Sequence, residues 1–303
     1  MGRLTEQIRR GKVLVSDGAW GTFLHQKGLK PGECPESWNL SRRKDVLDIA
    51  RSYVDAGADM IETNSFGASR IKLAHYGLGR QAPEINRAAA EISREAAGAD
   101  RIVLGSIGPT GKFLITGEVT EEDLVEAFSE QAVALERGGA DAACIETMAA
   151  LDEALCAVRA VRQNTDLDVA CTFTFEKTAD GSYKTMTGVS PGEMAKSLVD
   201  AGADVVGTNC GNGMAGMADI VRAIRSVNRD IPVLVHANAG KPKIENGKTV
   251  FPETPWVMAG LTPGLIRAGA SIVGGCCGTT PAHIRAIADA VQAGIMKRPS
   301  SAA

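Results

Sequence analysis

No stretch of the 303-residue chain is apolar for long enough to span a membrane, and aromatic residues make up only 4% of it. Neither Lys nor Arg gathers into a stripe with aromatics interleaved, and the formal net charge is only −3, which argues against nucleic acid as a partner. The opening "MGRLTEQIRRGKVLVSDGAWG" has basic residues and then an apolar run, but Asp17 ends that run too early for a signal peptide. Glu6 stands where a myristoylation signal wants Ser or Thr. A cytoplasmic protein is therefore expected. Seven cysteines, an odd number, then read as thiols or metal ligands rather than disulfides. No G-x-G-x-x-G phosphate loop follows the first apolar run, and no linker or low-complexity stretch appears before the tail "MKRPSSAA".

What the chain does have is a hydrophobic fraction of 44%, ample for a large core, and 34 glycines. One phrase recurs: "AGADMIETN" from Ala56, "AGADRIVLG" from Ala97, "GGADAACIE" from Gly138, "AGADVVGTN" from Ala201 and "AGASIVGGC" from Ala268. Each follows an amphipathic stretch such as "DVLDIARSYVD" or "GEMAKSLVD" and precedes an apolar run. Glycine is the usual residue just past a helix end, so the phrase reads as helix, cap, short loop and buried strand. Completing the series places strands near 13–17, 60–64, 102–106, 142–146, 168–174, 205–209, 232–238 and 271–275. Eight continuous apolar strands alternating with helices imply a parallel sheet covered on both faces. At this length they fit an α/β fold of one domain, a single (β/α)8 TIM barrel over residues 1–295, better than a doubly wound sheet. Residues 296–303 are expected to form a disordered tail.

Active sites of such barrels lie at the carboxyl ends of the strands. Here those ends read "DGAWGT" (17–22), "TNSF" (63–66), "GSIGPTG" (105–111), "ET" (146–147), "TNCGNG" (208–213), "HANAG" (236–240) and "GGCCGT" (274–279). Polar and sulfur side chains gathered at one rim argue for an enzyme. Adjacent cysteines rarely bridge each other, because the linkage is strained. Cys276 and Cys277 share the predicted rim with Cys210, from a strand only one removed, and glycines 274, 275 and 278 give the turn its freedom. Three thiolates would suit Zn²⁺ with a fourth position open, although the spacing matches no zinc finger and three small buried hydrophobes would read the same way.

The other cysteines point elsewhere: Cys144 and Cys171 to strands, Cys156 to a helix and Cys34 to the loop "KPGECPESW". His25, His75 and His283 fall on helices or helix starts, and His236 reads as a core histidine with a satisfied hydrogen bond. The turn of Asp17, Gly18, Ala19, Trp20, Gly21 and Thr22 offers amides to a carboxylate, and Glu146 could meet an ammonium group. A turn-forming aspartate and a barrel salt bridge are the plainer roles for Asp17 and Glu146.

Taken in order, "DGAWGT", "TNSFGAS", "GSIGPTG", "ET", "TNCG", "HANAGKP" with "ENGKTVFP", and "GGCCGTTP" resemble the homocysteine S-methyltransferase family. They look most like the homocysteine-binding barrel of cobalamin-dependent methionine synthases, over nearly the whole chain, from about Val13 to Val291. The resemblance implies Zn²⁺ held by Cys210, Cys276 and Cys277, with homocysteine entering the fourth position through its sulfur. It implies that Asp17, Gly18, Ala19, Gly21, Thr22 and Glu146 grip the amino-acid end, and that the side-chain oxygen of Asn238 can hold the open position beforehand. Glu62 precedes "TNSF" where the family pattern requires no carboxylate, so it is set aside. The expected reaction is methyl transfer giving methionine, with methylcobalamin as donor on a corrinoid partner protein or on further methionine synthase modules. A stand-alone enzyme using S-methylmethionine or S-adenosylmethionine is the alternative, and a sensor that binds homocysteine without turnover is a third. A corrinoid partner calls for an exposed docking rim around Cys276, whereas a sulfonium enzyme would enclose its donor.

Overall fold

The computed structural model describes residues 2–245 and 248–296; of the expected tail only Met296 falls within them, as the last residue of a helix. Eight parallel strands form the sheet: β1 (Leu14–Val15), β2 (Met60–Glu62), β3 (Ile102–Ile107), β4 (Ala142–Met148), β5 (Asp168–Phe173), β6 (Val205–Asn209), β7 (Val233–Ala237) and β8 (Ile272–Gly275). Neighbours in sequence are neighbours in the sheet, β8 pairs with β1, and a bridge between Ser16 and Met60 joins β1 to β2. The ring of strands thus closes as a (β/α)8 barrel. Each strand is followed by a helix, from Arg43–Asp55 after β1 to Pro281–Met296 after β8. No helix among the described residues is long and apolar enough to cross a membrane.

The recurring phrase does what its composition dictates. Gly57, Gly139, Gly202 and Gly269 all take positive φ at the turn from helix to strand, where a side chain would be strained. The next polar residue then reaches sideways: Asp59, Asp141 and Asp204 accept hydrogen bonds from the backbone N–H of Val15, Val103 and Val169 on the preceding strand, and Ser271 accepts from Val233. Four of the five repeats therefore staple an even-numbered strand to the odd-numbered one before it; the fifth, from Ala97, leads into β3 and makes no such bond among the described residues. The register of the barrel is written into the repeat.

Inside the barrel, Leu14, Met60, Ile102, Leu104, Ala142, Cys144, Ala170, Val205, Leu234 and Ile272 pack into an apolar core. The short helix Arg3–Arg9 plugs the end where the strands begin. Its Leu4 joins that core, and the Asp168 carboxylate accepts from the N–H groups of Leu4 and Thr5, capping the helix from below. Cys144 and Cys171 are fully buried and Cys156 nearly so, as packing residues, while Cys34 is buried in its loop.

Candidate active site

Side chains on a strand alternate between faces, so the residue two places after an interior apolar residue also points inward. Glu62 follows Met60, Ser106 follows Leu104, Glu146 follows Cys144, Thr172 follows Ala170 and His236 follows Leu234. All five are buried, forming a polar layer at the carboxyl ends above the apolar core. Above it lies a cavity of about 290 Å3 lined by residues that include Glu62, Glu146, His236 and all three rim cysteines.

Cys210, Cys276 and Cys277 do converge. Their sulfurs all lie within 4.8 Å of one another, with Cys210 Sγ 4.0 Å from Cys277 Sγ. The backbone fixes this arrangement. Cys210 N–H donates to the His236 carbonyl at 3.1 Å, Cys276 N–H to that of Ala237 at 2.7 Å, and Ala239 N–H to that of Cys277 at 3.0 Å, so β7 is the spacer holding both thiol-bearing turns. Gly278 has φ +80°, and a Cβ there would lie 2.2 Å from the Phe251 ring, so the turn after Cys277 tolerates only glycine. That ring belongs to the "ENGKTVFP" segment, of which residues 246 and 247 lie outside the described ones.

Among the described residues only Thr147 (φ 60°) and Cys210 (φ 58°) have positive φ without being glycine, and both line the cavity. Such strain persists where surrounding contacts over-determine it. Asn209 supplies them for Thr147: its Oδ1 accepts from Thr147 N–H at 2.8 Å and its Nδ2 donates to Thr147 Oγ1 at 2.7 Å.

Hydrogen bonds from Cys276 and Cys277, and a further one from Asn238, hold the Cys210 thiol well below its usual range. The bonds made to Cys210 push the other two up, Cys277 to about 11, because a second thiolate would face the first. Three thiols this close repel one another as thiolates, and a cation among them would relieve that repulsion. Asn238 is buried beside it, and its Oδ1 has no hydrogen-bond partner. Three converging thiols and an orphaned amide oxygen fit a thiophilic metal such as Zn²⁺.

The amino-acid end of the expected site is arranged less simply. Gly18, Ala19, Gly21 and Thr22 line the cavity with Trp20, but Asp17 does not. Its Oδ2 accepts from Trp20 Nε1 and from Glu62 N–H, both at 2.9 Å, so the carboxylate shapes the turn and ties it to β2. Glu146 does face the cavity, accepting from Ser106 Oγ and, at 3.4 Å, from Asn209 Nδ2. Two residues set aside in the sequence are also there. Glu62 and His236 meet at the cavity, Oε1 to Nδ1 3.5 Å, and neither Glu62 Oε1 nor His236 Nε2 has a hydrogen-bond partner. The histidine is therefore not the satisfied core residue its sequence suggested. Burial drives it down to about 4, so the ring is neutral at neutral pH.

Burial pushes both Asp17 and Glu146 up to about 7. A carboxyl with a raised folded-state value keeps its proton longer in the fold than in the unfolded chain, so its contribution to stability is full in acid and lost as pH rises through the folded value. For Glu146 the window runs from 4.5 to about 7. Thermal melts of metal-free Glu146→Gln and parent protein across that window should show the parent losing ground as pH rises. Parallel curves would show that Glu146 ionises freely in the fold.

Comparison with known proteins agrees with this geometry. The homocysteine S-methyltransferase family profile matches residues 14–291. The methionine synthases of Mycobacterium tuberculosis and Mycobacterium leprae are each 35% identical to the chain, over 95% and 92% of it respectively. Those alignments cover 25% and 24% of the two enzymes, so the chain spans about a quarter of the length of these relatives. Among solved structures, the homocysteine methyltransferase MmuM of Escherichia coli in its metallated form superposes with a TM-score of 0.78 at 22% identity, over 94% of this chain and 99% of that one. The carboxyl transferase domain of Rhizobium etli pyruvate carboxylase reaches 0.56 at 15% identity over 97% of this chain and 50% of that one, a likeness of fold. The chain belongs to the homocysteine S-methyltransferase family.

Proposed function

We propose that the protein transfers a methyl group to the thiol of homocysteine, giving methionine, with Zn²⁺ held by Cys210, Cys276 and Cys277. The observation that carries this reading is the convergence of three sulfurs within 4.8 Å at a cavity that also holds Glu146 and the turn after Asp17. Zn²⁺ bound there would hold an incoming thiol as its thiolate, the reactive form, at neutral pH. The residues of the chain do the rest. Asn238, buried beside Cys210 with its oxygen unpartnered, would offer that oxygen to the metal until the substrate sulfur arrives. Gly18, Ala19, Gly21 and Thr22 present the turn to the substrate carboxylate, Asp17 holds that turn through Trp20, and Glu146 faces the ammonium. The sulfur lone pair then forms the new C–S bond as the methyl group leaves its donor, whose bonding electron pair stays behind.

The donor on this reading is a methylcorrinoid carried by a partner protein or by a further module of the same enzyme. A cavity of about 290 Å3 suits an amino acid and is far too small for a corrin ring. The methyl group must therefore be offered across the mouth, where Cys277 is exposed. Exposed Phe66, Ile115, Met186, Ile244 and Trp256 all lie in segments that follow the carboxyl ends of barrel strands, with Ile244 on a small hairpin and Phe66 at the cavity itself. Such apolar exposure fits an interaction surface better than a closed small-molecule site. Similarity to methionine synthases points the same way.

The test is to incubate zinc-loaded protein with homocysteine and free methylcobalamin and to measure methionine by mass spectrometry. Zinc-dependent methionine is expected. Bound homocysteine with no methionine from methylcobalamin, but turnover with S-methylmethionine, would replace the corrinoid donor by a sulfonium one. Binding without turnover from any donor would make the protein a sensor.

A further inference from the structure

The cavity is unusual in its charge. No Lys or Arg lines it, and its one histidine is neutral, yet three carboxyls do: Glu36, Glu62 and Glu146. Glu36 is occupied, accepting from Gly67 N–H at 2.6 Å and from the Cys34 thiol at 3.3 Å. Glu146 is partly occupied by Ser106 and Asn209. Glu62 is only 7% exposed; its carboxyl meets the Cys144 thiol, yet its Oε1 is buried with no hydrogen-bond partner. A buried, unpartnered carboxyl oxygen is costly, and one at a cavity is open to a ligand that would complete it. Asp17 is already spent on Trp20 and on the Glu62 backbone.

Resting on the homocysteine reading above, we infer that Glu62 is a substrate-contacting residue that shares the ammonium group with Glu146. Selection of an α-amino thiol over a plain thiol then lies with carboxyls from β2 and β4, and Asp17 acts only by positioning the turn. The chemistry is that of a charge-assisted hydrogen bond: the ammonium donates protons to two carboxyls that lack any other cation. Burial and the charges of Glu146 and Asp17 push Glu62 toward its neutral form in the empty cavity, and an ammonium between the acids reverses that balance. His236, 3.5 Å from Glu62 Oε1, braces the carboxyl from the β7 side.

The distinguishing experiment compares homocysteine with 4-sulfanylbutanoate, the same molecule without its amino group. Binding to the zinc-loaded protein is measured by calorimetry with no methyl donor present. Glu62→Gln keeps the size of the side chain and removes its charge. It should weaken homocysteine by about 10- to 100-fold, the range of a hydrogen bond to a charged group. Its affinity for 4-sulfanylbutanoate should stay within about twofold of the parent's, so that discrimination between the two ligands collapses. Asp17→Asn should weaken both ligands alike. Equal loss of both ligands in Glu62→Gln would show Glu62 to be a structural support and overturn the inference, as would unchanged homocysteine binding. A parent protein that binds 4-sulfanylbutanoate as tightly as homocysteine would overturn it too, while leaving the thiol site intact. A parent protein that binds neither thiol would overturn the homocysteine reading itself.

Discussion

Cys210→Ala is expected to lose its metal and to lower methionine formation by more than about a hundredfold, while the barrel stays folded. Removing a mere outer-shell partner of a metal ligand costs about 10- to 100-fold, so removal of a ligand should cost more. Two adjacent thiols on one turn remain, too few to close a tetrahedral zinc site. The fold should survive, because Cys210 lies outside the apolar clusters of the core. Metal content after gel filtration over a weak chelator, read by mass spectrometry, checks the first half, and the melting curve of the metal-free protein checks the second. One equivalent of zinc retained by the variant would remove Cys210 from the ligand set. Cys210→Gly is the sharper control. With φ at 58° the cysteine is strained, and glycine relieves that strain, so metal-free Cys210→Gly should be more stable than Cys210→Ala by about 1 kcal/mol.

Gly207→Ala should be the most damaging single methyl group in the barrel wall. Gly207 pairs with Leu234 across β6 and β7, and a Cβ there would lie 2.0 Å from the Leu234 carbonyl oxygen. The obstacle is backbone, which cannot swing aside as a side chain can. Either the two strands part or their register distorts, and both routes reach the site. Cys210 hangs three residues beyond Gly207 and donates its backbone N–H to a carbonyl of β7, which also leads into Asn238. A loss of roughly 3 kcal/mol is expected. At about 2.1 cal/mol/K of unfolding entropy per residue, each kcal/mol moves the melting temperature of a 303-residue chain by about 1.6 °C. A drop of about 5 °C, with weakened zinc retention, is therefore the expected result. A melt within about 1 °C of the parent would mean that the two strands are not pressed together as described.

Much of this was legible in the chain. The eight strands fall within one or two residues of where the apolar runs put them, because strands covered on both faces need unbroken apolar sequence and glycine marks most of the turns into them. The thiol trio was legible for the same reason: residues just past a strand end share a rim. Glu62 and His236 were missed although a signal existed. Both stand two places after an interior apolar residue, Met60 and Leu234, and the same parity places Glu146. Reading it requires knowing which face of each strand points inward, and a strand buried on both faces conceals that in its composition. The engagement of Asp17 by Trp20 had no such signal, since it depends on how a turn folds back on itself. Nor did the strain at Thr147, since a β-branched residue is the last expected at positive φ. The two small hairpins, Glu176–Lys177 with Tyr183–Lys184 and Lys243–Glu245 with Lys248–Val250, also went unforeseen, as strands of two and three residues leave little pattern.

The plug at the foot of the barrel has a kinetic consequence. With Leu4 seated among the interior side chains and the Asp168 carboxylate locking its helix in place, traffic through the strand N-termini is closed. Everything that enters the cavity must leave by the mouth at which Cys277 lies. On the corrinoid reading proposed above, an acceptor amino acid bound at depth would have to arrive before a carrier-borne methyl group covers the opening, and the methylated product would have to wait until the carrier withdraws. Turnover on that reading would follow a compulsory order with the acceptor first on and last off, and a carrier that lingers at the rim would become the brake on release.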